Sequence, residues 1–164
     1  MTWSRLCRTR LIAMQRRIST NTNLVAFSRG GEKHTMLSLL PLYASHGYRA
    51  LDLNFCEMMN PHSSIDEGYI ARLAELRDRY GLEYIQAHAP YPRDYRSLAE
   101  EGRRASDAEI CRAAGYAHSL GIPHIVIHPI RGTVQDNIDY FSRLLGQIDI
   151  RIGIENMERE DEIY

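Results

Sequence analysis

The sequence predicts an α/β fold in which strands and helices alternate and the strands pair in parallel. Four apolar runs suited to strands occupy residues 48–54, 82–88, 122–128 and 148–155. A glycine precedes each run, and stretches with apolar residues at helical spacing lie between the runs. Alternating strand and helix patterns joined by short loops indicate right-handed crossovers and a parallel sheet.

The first strand and the first helix are predicted before these four runs. Residues 18–26 are rich enough in β-branched side chains for a strand, and Gly30 and Gly31 follow it as a break. Residues 35–46 have the three- and four-residue apolar spacing of a helix that is buried on one side. Pro41 within this stretch predicts a kink or a later helix start.

Three later helices have predicted start and stop signals. A capping box pairs a hydroxyl residue with an acidic residue three positions later, and together they satisfy free amides at a helix N-terminus. The pairs that fit are Ser64 with Glu67, Ser106 with Glu109, and Thr133 with Asp136. Glycines predicted to end the four helices in the left-handed conformation are Gly47, Gly81, Gly121 and Gly146.

Five strands and four helices fit two architectures, a small doubly wound sheet or the first part of an eight-stranded barrel. The 164 residues are about two-thirds of the ~250 residues typical of that barrel. No glycine-rich phosphate loop follows the first strand, which disfavours a nucleotide-binding open sheet.

Composition indicates one soluble globular domain. The chain is 44% hydrophobic and 25% charged, with a formal net charge of -1, so overall charge gives no support to nucleic-acid binding. No apolar run approaches the ~20 residues that span a bilayer. The three scattered cysteines suggest neither a disulfide framework nor a cysteine zinc site, and a cytoplasmic location is expected.

Residues 1–16 are predicted to be an N-terminal extension. They are rich in arginine and lack acidic residues, which is typical of a transit peptide, but the apolar stretch is too short and broken for a secretory signal. Met14 offers a second explanation, a later start of translation. The domain itself is therefore assigned to residues 17–164.

Three of the predicted strands finish on side chains that can bind a metal. His88, His128 and Glu155 end the last three apolar runs. Because the carboxyl ends of parallel strands lie on one face of a sheet, these side chains are expected to form one site. Either histidine taken alone is more often a structural residue, so the hypothesis depends on the joint pattern.

Short motifs at these strand ends resemble the xylose isomerase-like barrels. The motifs are His88-Ala89-Pro90-Tyr91, His128-Pro129 and Ile154-Glu155-Asn156. This family comprises sugar phosphate isomerases and epimerases and the related endonuclease IV group. The resemblance covers residues 17–157 and implies a partial TIM (β/α)8 barrel of about five parallel strands and four helices, with the C-terminal part missing.

The resemblance implies a role for each residue at the strand ends. Glu155 matches the glutamate that binds a divalent metal, Mn or Mg, and takes part in proton transfer; a carboxylate suits both tasks. His88 and His128 match histidines that contact substrate in the isomerase branch and bind zinc in the endonuclease branch. Asn156 is expected beside Glu155 as an orienting or substrate-binding group.

Three further residues are candidates for substrate binding. Asp52 and Asn54 lie at the end of the second strand, where they could bind hydroxyls of a polyol. Tyr91 belongs to a segment with Arg93 and Tyr95 that forms either an active-site loop or a polar connection.

The residues after each motif favour the isomerase and epimerase branch. Endonuclease IV proteins continue the three motifs with Asn-Leu, Gly-Ser-His and Thr-Ala-Gly, whereas this chain has residues 92–95 (PRDY), 130–132 (IRG) and 157–159 (MER). The predicted function is metal-dependent isomerisation or epimerisation of a sugar or polyol, without nucleic-acid or membrane partners. The alternatives are a zinc-dependent AP endonuclease of DNA repair and a non-catalytic half-barrel module for binding or assembly.

The resemblance also implies that part of the site is absent. In the family an acidic residue, a histidine and a second glutamate come from later strands, so this chain is expected to be a fragment that is inactive alone. Unpaired strand edges and uncovered helix faces promote association, so homo-oligomers or aggregates are expected.

Overall fold

The computed structural model describes residues 19–22, 35–59, 65–91 and 95–155, which form five strands, four α-helices and two short 3-10 helices. The strands are β1 (Ser19–Asn21), β2 (Ala50–Asn54), β3 (Glu83–His88), β4 (His124–Ile127) and β5 (Arg151–Ile154). The helices are α1 (Met36–Ser45), α2 (Glu67–Tyr80), α3 (Glu100–Ser119) and α4 (Val134–Leu145). The 3-10 helices are Cys56–Met59 and Tyr95–Ser97.

The five strands form one sheet in the order β1-β2-β3-β4-β5, and every pair is parallel. A doubly wound sheet reverses its strand order partway across, and this sheet does not. Right-handed crossovers between successive neighbours place all helices on the same face of the sheet. Of the two architectures that the sequence left open, the partial barrel is therefore confirmed.

The two faces of the sheet differ in chemistry. Side chains on the outer face, which packs against the helices, are apolar and fully buried, as at Leu51, Leu53, Ile125 and Ile127. Because side chains alternate along a strand, the residues between them lie on the opposite, inner face. That face carries polar groups, and Val126 on it is only half-buried.

The predicted helix starts have three different outcomes. Thr133 and Asp136 form the expected capping box at α4. Ser64 lies outside the described residues, and the N-cap of α2 is Asp66, whose side chain accepts a hydrogen bond from the Tyr69 amide. The capping box predicted at Ser106 is wrong. The helix α3 begins six residues earlier, at Glu100, and Ser106 lies buried within it. Acidic residues in that first turn interact favourably with the helix dipole.

The other boundary predictions are also mixed. A later start of α1 is wrong, because Thr35 caps the helix at Met36 and the helix continues through Pro41. Three of the four helix-ending glycines have positive φ, and Gly146, at φ -73°, does not. Gly30 and Gly31 lie outside the described residues. Within the described ranges no helix has the length and hydropathy needed to cross a membrane.

Candidate active site at the strand ends

His88, His128 and Glu155 meet at the carboxyl ends of neighbouring strands. His88 is the last residue of β3, while His128 and Glu155 directly follow β4 and β5. A hydrogen bond of 3.2 Å from the Glu155 amide to the Ile127 carbonyl continues the pairing of β4 and β5 beyond the strands. Glu155 Oε2 then lies 3.1 Å from His128 Nε2 and 3.5 Å from His88 Nε2. The structure thus brings the three side chains into one cluster.

Two polar atoms in this cluster are buried without a hydrogen-bond partner among the described residues. They are Glu155 Oε2 and His128 Nδ1. The distance from Glu155 Oε2 to His128 Nε2 is short, yet the pair does not form a hydrogen bond. A buried acceptor that remains unpaired calls for an explanation, and a bound cation is one of the few available. The chemistry of the cluster, one carboxylate facing two imidazoles, therefore suits a divalent metal.

The cluster does not amount to a preformed metal centre. In the part of the chain that the structure describes, no group of three or more His, Cys, Asp or Glu side chains is arranged to hold a metal ion. Glu155 is also well exposed, at 39% of its side-chain surface, compared with 17% for each histidine. Additional ligands would have to join Glu155 from outside the described residues.

The imidazole of His88 is hydrogen-bonded to a buried carboxylate on the side away from Glu155. Its Nδ1 lies 3.0 Å from Asp52 Oδ1 on β2. Asp52 Oδ2 accepts two further hydrogen bonds, from the side-chain amides of Gln86, at 2.8 Å, and Asn21, at 3.2 Å. Asp52 is only 8% exposed. Both of its oxygens are thus engaged by side chains of the inner face.

The two histidines have opposite pKa shifts. The hydrogen bond to Asp52 is the main reason why the pKa of His88 is raised above 6.5, and it outweighs burial. Burial is the main reason why the pKa of His128 is lowered, although the Glu155 carboxylate opposes this change. The fold therefore stabilises the protonated form of His88, and the neutral form of His128, relative to an ordinary imidazole.

We expect NMR titration to separate these two histidines. The midpoint of His88 should lie above the ordinary value of 6.5 and that of His128 below it. Folding raises the pKa of His88, so its contribution to stability is complete below about pH 6.5 and is lost as pH rises through the folded pKa. The contribution of His128 is present above about pH 6.5 and is lost as pH falls through its lowered pKa. Midpoints in the reverse order would contradict the geometry.

The remaining predicted residues occupy varied positions. The Tyr91 ring packs edge-on against His128, with centroids 4.9 Å apart. Asn54 is buried, and its side-chain oxygen accepts a hydrogen bond from the Cys56 amide, so that oxygen stabilises the turn after β2. Asp52 supports His88, as described above. Asn156 and Arg93 lie outside the described residues.

Sequence reasoning missed two residues that extend this network, Gln86 and His124. Gln86 Oε1 lies 2.9 Å from His124 Nε2, and the Gln86 amide donates to Asp52. His124 begins β4, at the end of the strand opposite His128. Its position two residues before Val126, on the same face, is the only signal in the sequence that could have placed it near the site.

The fold can be compared with solved structures. A D-tagatose 3-epimerase-like protein is similar with a TM-score of 0.66 and 23% identity over 88% of this chain and 54% of that protein. A protein named IOLI, described with a bound zinc atom, has a TM-score of 0.56 and 16% identity over 85% of this chain and 51% of that one. A xylose isomerase domain protein from Alicyclobacillus acidocaldarius has a TM-score of 0.54 and 16% identity over 89% of this chain and 52% of that protein. This chain spans about half the length of each of these proteins.

Sequence comparison identifies the family directly. No curated protein matches the chain. The family model described as xylose isomerase-like TIM barrel matches residues 40–163, which is most of the chain and includes all three strand-end motifs. The chain therefore belongs to the xylose isomerase-like TIM barrel family.

Proposed function

We propose that the protein carrying this chain catalyses metal-dependent isomerisation or epimerisation of a sugar or polyol. The observation that carries the proposal is the position of Glu155 Oε2, buried without a hydrogen bond between the imidazoles of His88 and His128. The cluster lies at the carboxyl ends of parallel strands, where barrels of this kind have their active sites.

A divalent metal would be held by Glu155 together with donors outside the described residues. The unpaired oxygen of Glu155 fits such an ion, and the polar inner face around it carries no competing cationic side chain from lysine or arginine within ion-pair distance among the described residues. When bound, the metal would polarise the carbonyl and hydroxyl oxygens of the substrate. Mn or Mg suits oxygen donors, and zinc becomes the better choice if the histidines take part.

Residues of this chain would transfer the proton and orient the substrate. Isomerisation moves a proton or a hydride between adjacent carbons, whereas epimerisation removes a proton from one carbon and returns it to the opposite face. Charge develops on oxygen in both reactions. Glu155 is the carboxylate positioned to take a proton from carbon or oxygen. His88, whose Nε2 faces Glu155, is suited to bind a substrate hydroxyl, and Tyr91 covers one edge of His128.

The similar proteins support this proposal at the level of reaction class. One of them is named as D-tagatose 3-epimerase-like, and another is described with a bound zinc atom. At 23% and 16% identity the likeness establishes a shared fold. The substrate and the metal of this protein are therefore parts of the proposal.

In the direct test, the protein carrying this chain is incubated in D2O with a panel of ketoses, their phosphates and inositol-like ketones. Each incubation is run with and without Mn²⁺ or Mg²⁺. We expect metal-dependent formation of an isomer or epimer, followed by ¹³C NMR. Deuterium in the product indicates proton transfer, whereas its absence indicates hydride transfer. No conversion of any member of the panel with either metal would contradict the proposal.

A second function, cleavage of abasic-site DNA, is favoured by the nitrogen-rich character of the cluster. Two imidazole nitrogens and one carboxylate are ligands typical of zinc. The net charge of -1 and the motif continuations favour the sugar reaction instead. Incubation with abasic duplex DNA and Zn²⁺ distinguishes the two functions, because strand cleavage without sugar conversion would support the repair enzyme.

We further propose that the chain associates with a second copy through its β5 side. An open groove of about 520 Å³ beside Glu155 is lined mainly by apolar side chains of α4 and β5. The most exposed of these are Leu145 and Ile154, each at 62%. In sedimentation equilibrium we expect a concentration-dependent dimer that Leu145→Glu weakens. Leu42→Glu, at an exposed position of α1, should leave the dimer unchanged. A monomer at all concentrations would contradict this proposal.

A further inference from the structure

The inner face of the sheet carries a continuous chain of hydrogen bonds that ends at the candidate site. It runs from His124 at the start of β4 to Gln86, then to Asp52, and then to His88. Each link is between 2.8 and 3.0 Å long. His88 Nε2, at the far end, faces Glu155. The chain therefore connects the amino end of the sheet with the catalytic end.

The chemical types of these groups determine the direction of every hydrogen bond in the chain. An ionised carboxylate only accepts, so Asp52 requires a donor from each neighbour. The Gln86 amide nitrogen must donate to Asp52, which leaves Gln86 Oε1 to accept from His124. His124 must then carry its proton on Nε2. On the other side of Asp52, neutral His88 must carry its proton on Nδ1.

An irregularity in strand pairing makes this alignment possible. Leu51 pairs with Tyr84, but the next pair is Asp52 with Gln86, so Ile85 is an additional residue in β3. Such a bulge changes which side chains lie opposite each other, and bulges are common beside active sites. Without it Asp52 would lie opposite Ile85. The bulge thus places Gln86 beside Asp52 on the inner face.

We infer that Asp52 and Gln86 are positioning residues that hold His88 as the Nδ1–H tautomer, with the Nε2 lone pair directed to the site. Histidines that bind metals commonly donate their other ring N–H to a carboxylate or carbonyl, which fixes the tautomer and the ring orientation. His88 and Asp52 have this arrangement, with Asn21 and Gln86 holding the carboxylate in turn. His88 Nε2 is then able to accept a hydrogen bond from a substrate hydroxyl or to bind a cation. This use of the lone pair rests on the proposed function, whereas the tautomer does not.

The test is long-range ¹H–¹⁵N NMR on the 164-residue chain labelled at histidine, without metal or substrate, at a pH above the midpoint of His88. We expect a protonated Nδ1 at His88 and a protonated Nε2 at His124, with assignments from His88→Gln and His124→Gln. A wild-type His88 that carries its proton on Nε2, or a His124 that carries it on Nδ1, overturns the inference. Where a variant fails to fold, through-bond correlations from ring to backbone in a uniformly labelled wild-type chain supply the assignments.

The variant Asp52→Asn tests the cause of the tautomer. The new amide can turn its NH2 group towards the ring, so we expect His88 to lose the Nδ1–H state. Asp107→Asn is the matched control, because Asp107 is similarly buried, with 13% of its side chain exposed compared with 11% for Asp52, but it pairs with Tyr95 and Arg143 instead. An Nδ1–H tautomer that persists in Asp52→Asn overturns the role of Asp52. Absence of isomerase activity with the expected tautomers would contradict only the proposed function.

Discussion

Replacement of Glu155 by glutamine is expected to lower isomerisation or epimerisation by about 10²–10⁴-fold, the usual contribution of a general base. The amide keeps the size of the side chain but can neither take a proton nor supply a negative charge to a metal. Stability should change little, because Glu155 is the most exposed member of the cluster and its Oε2 has no hydrogen bond to lose. Conversion rates and the metal content of the purified protein measure the effect.

Glu83→Gln is the control for this variant. Glu83 is an exposed glutamate at the opposite end of β3, so the substitution should leave rate and metal content unchanged. If Glu155→Gln retained full activity and full metal content, Glu155 could not be the reactive carboxylate. The proposed site would then have to be abandoned.

Replacement of Phe55 by alanine is expected to cost about 3–5 kcal/mol of unfolding free energy, the usual loss for a large buried aromatic side chain. Phe55 directly follows β2 and is completely buried. Its ring packs against Tyr116 on α3, with centroids 6.5 Å apart, and its amide donates to the His88 carbonyl at 2.9 Å. Urea unfolding should show a large decrease, since small domains have only about 5–15 kcal/mol in total.

Leu42→Ala provides the comparison for Phe55→Ala. Leu42 is 49% exposed on α1, and exposed substitutions typically change stability by no more than about 0.5 kcal/mol. Equal losses for the two variants would mean that the Phe55 side of the sheet is not part of the core. The Phe55–Tyr116 contact would then contribute little to the packing of α3 against the sheet.

Local patterns in the sequence were sufficient to locate the strand ends that form the cluster. His88, His128 and Glu155 each finish an apolar run that follows a glycine, and the structure places each at a strand end. Such runs are visible because a strand covered on its outer face requires apolar residues at alternate positions. The order of the strands then follows from the short crossovers.

Contacts that depend on register could not be predicted in the same way. The pairing of Asp52 with Gln86 requires the bulge at Ile85, and nothing in the run LEYIQAH marks it. The start of α3 was misplaced for a related reason. Ser106 and Glu109 match the capping pattern, but the helix-compatible residues upstream allow the helix to begin at Glu100 instead.

The central claim is that Glu155 and the two histidines form one metal-binding active site. Its most direct test is Mn²⁺ titration of the histidine-labelled chain, observed by NMR. We predict that Mn²⁺ broadens the ring signals of His88 and His128 but not those of His46 and His118. The latter two lie at the C-terminal ends of α1 and α3, near the amino ends of the strands. Glu155→Gln should abolish this broadening. Uniform broadening of all four histidines, or selective broadening that survives the substitution, would contradict the claim.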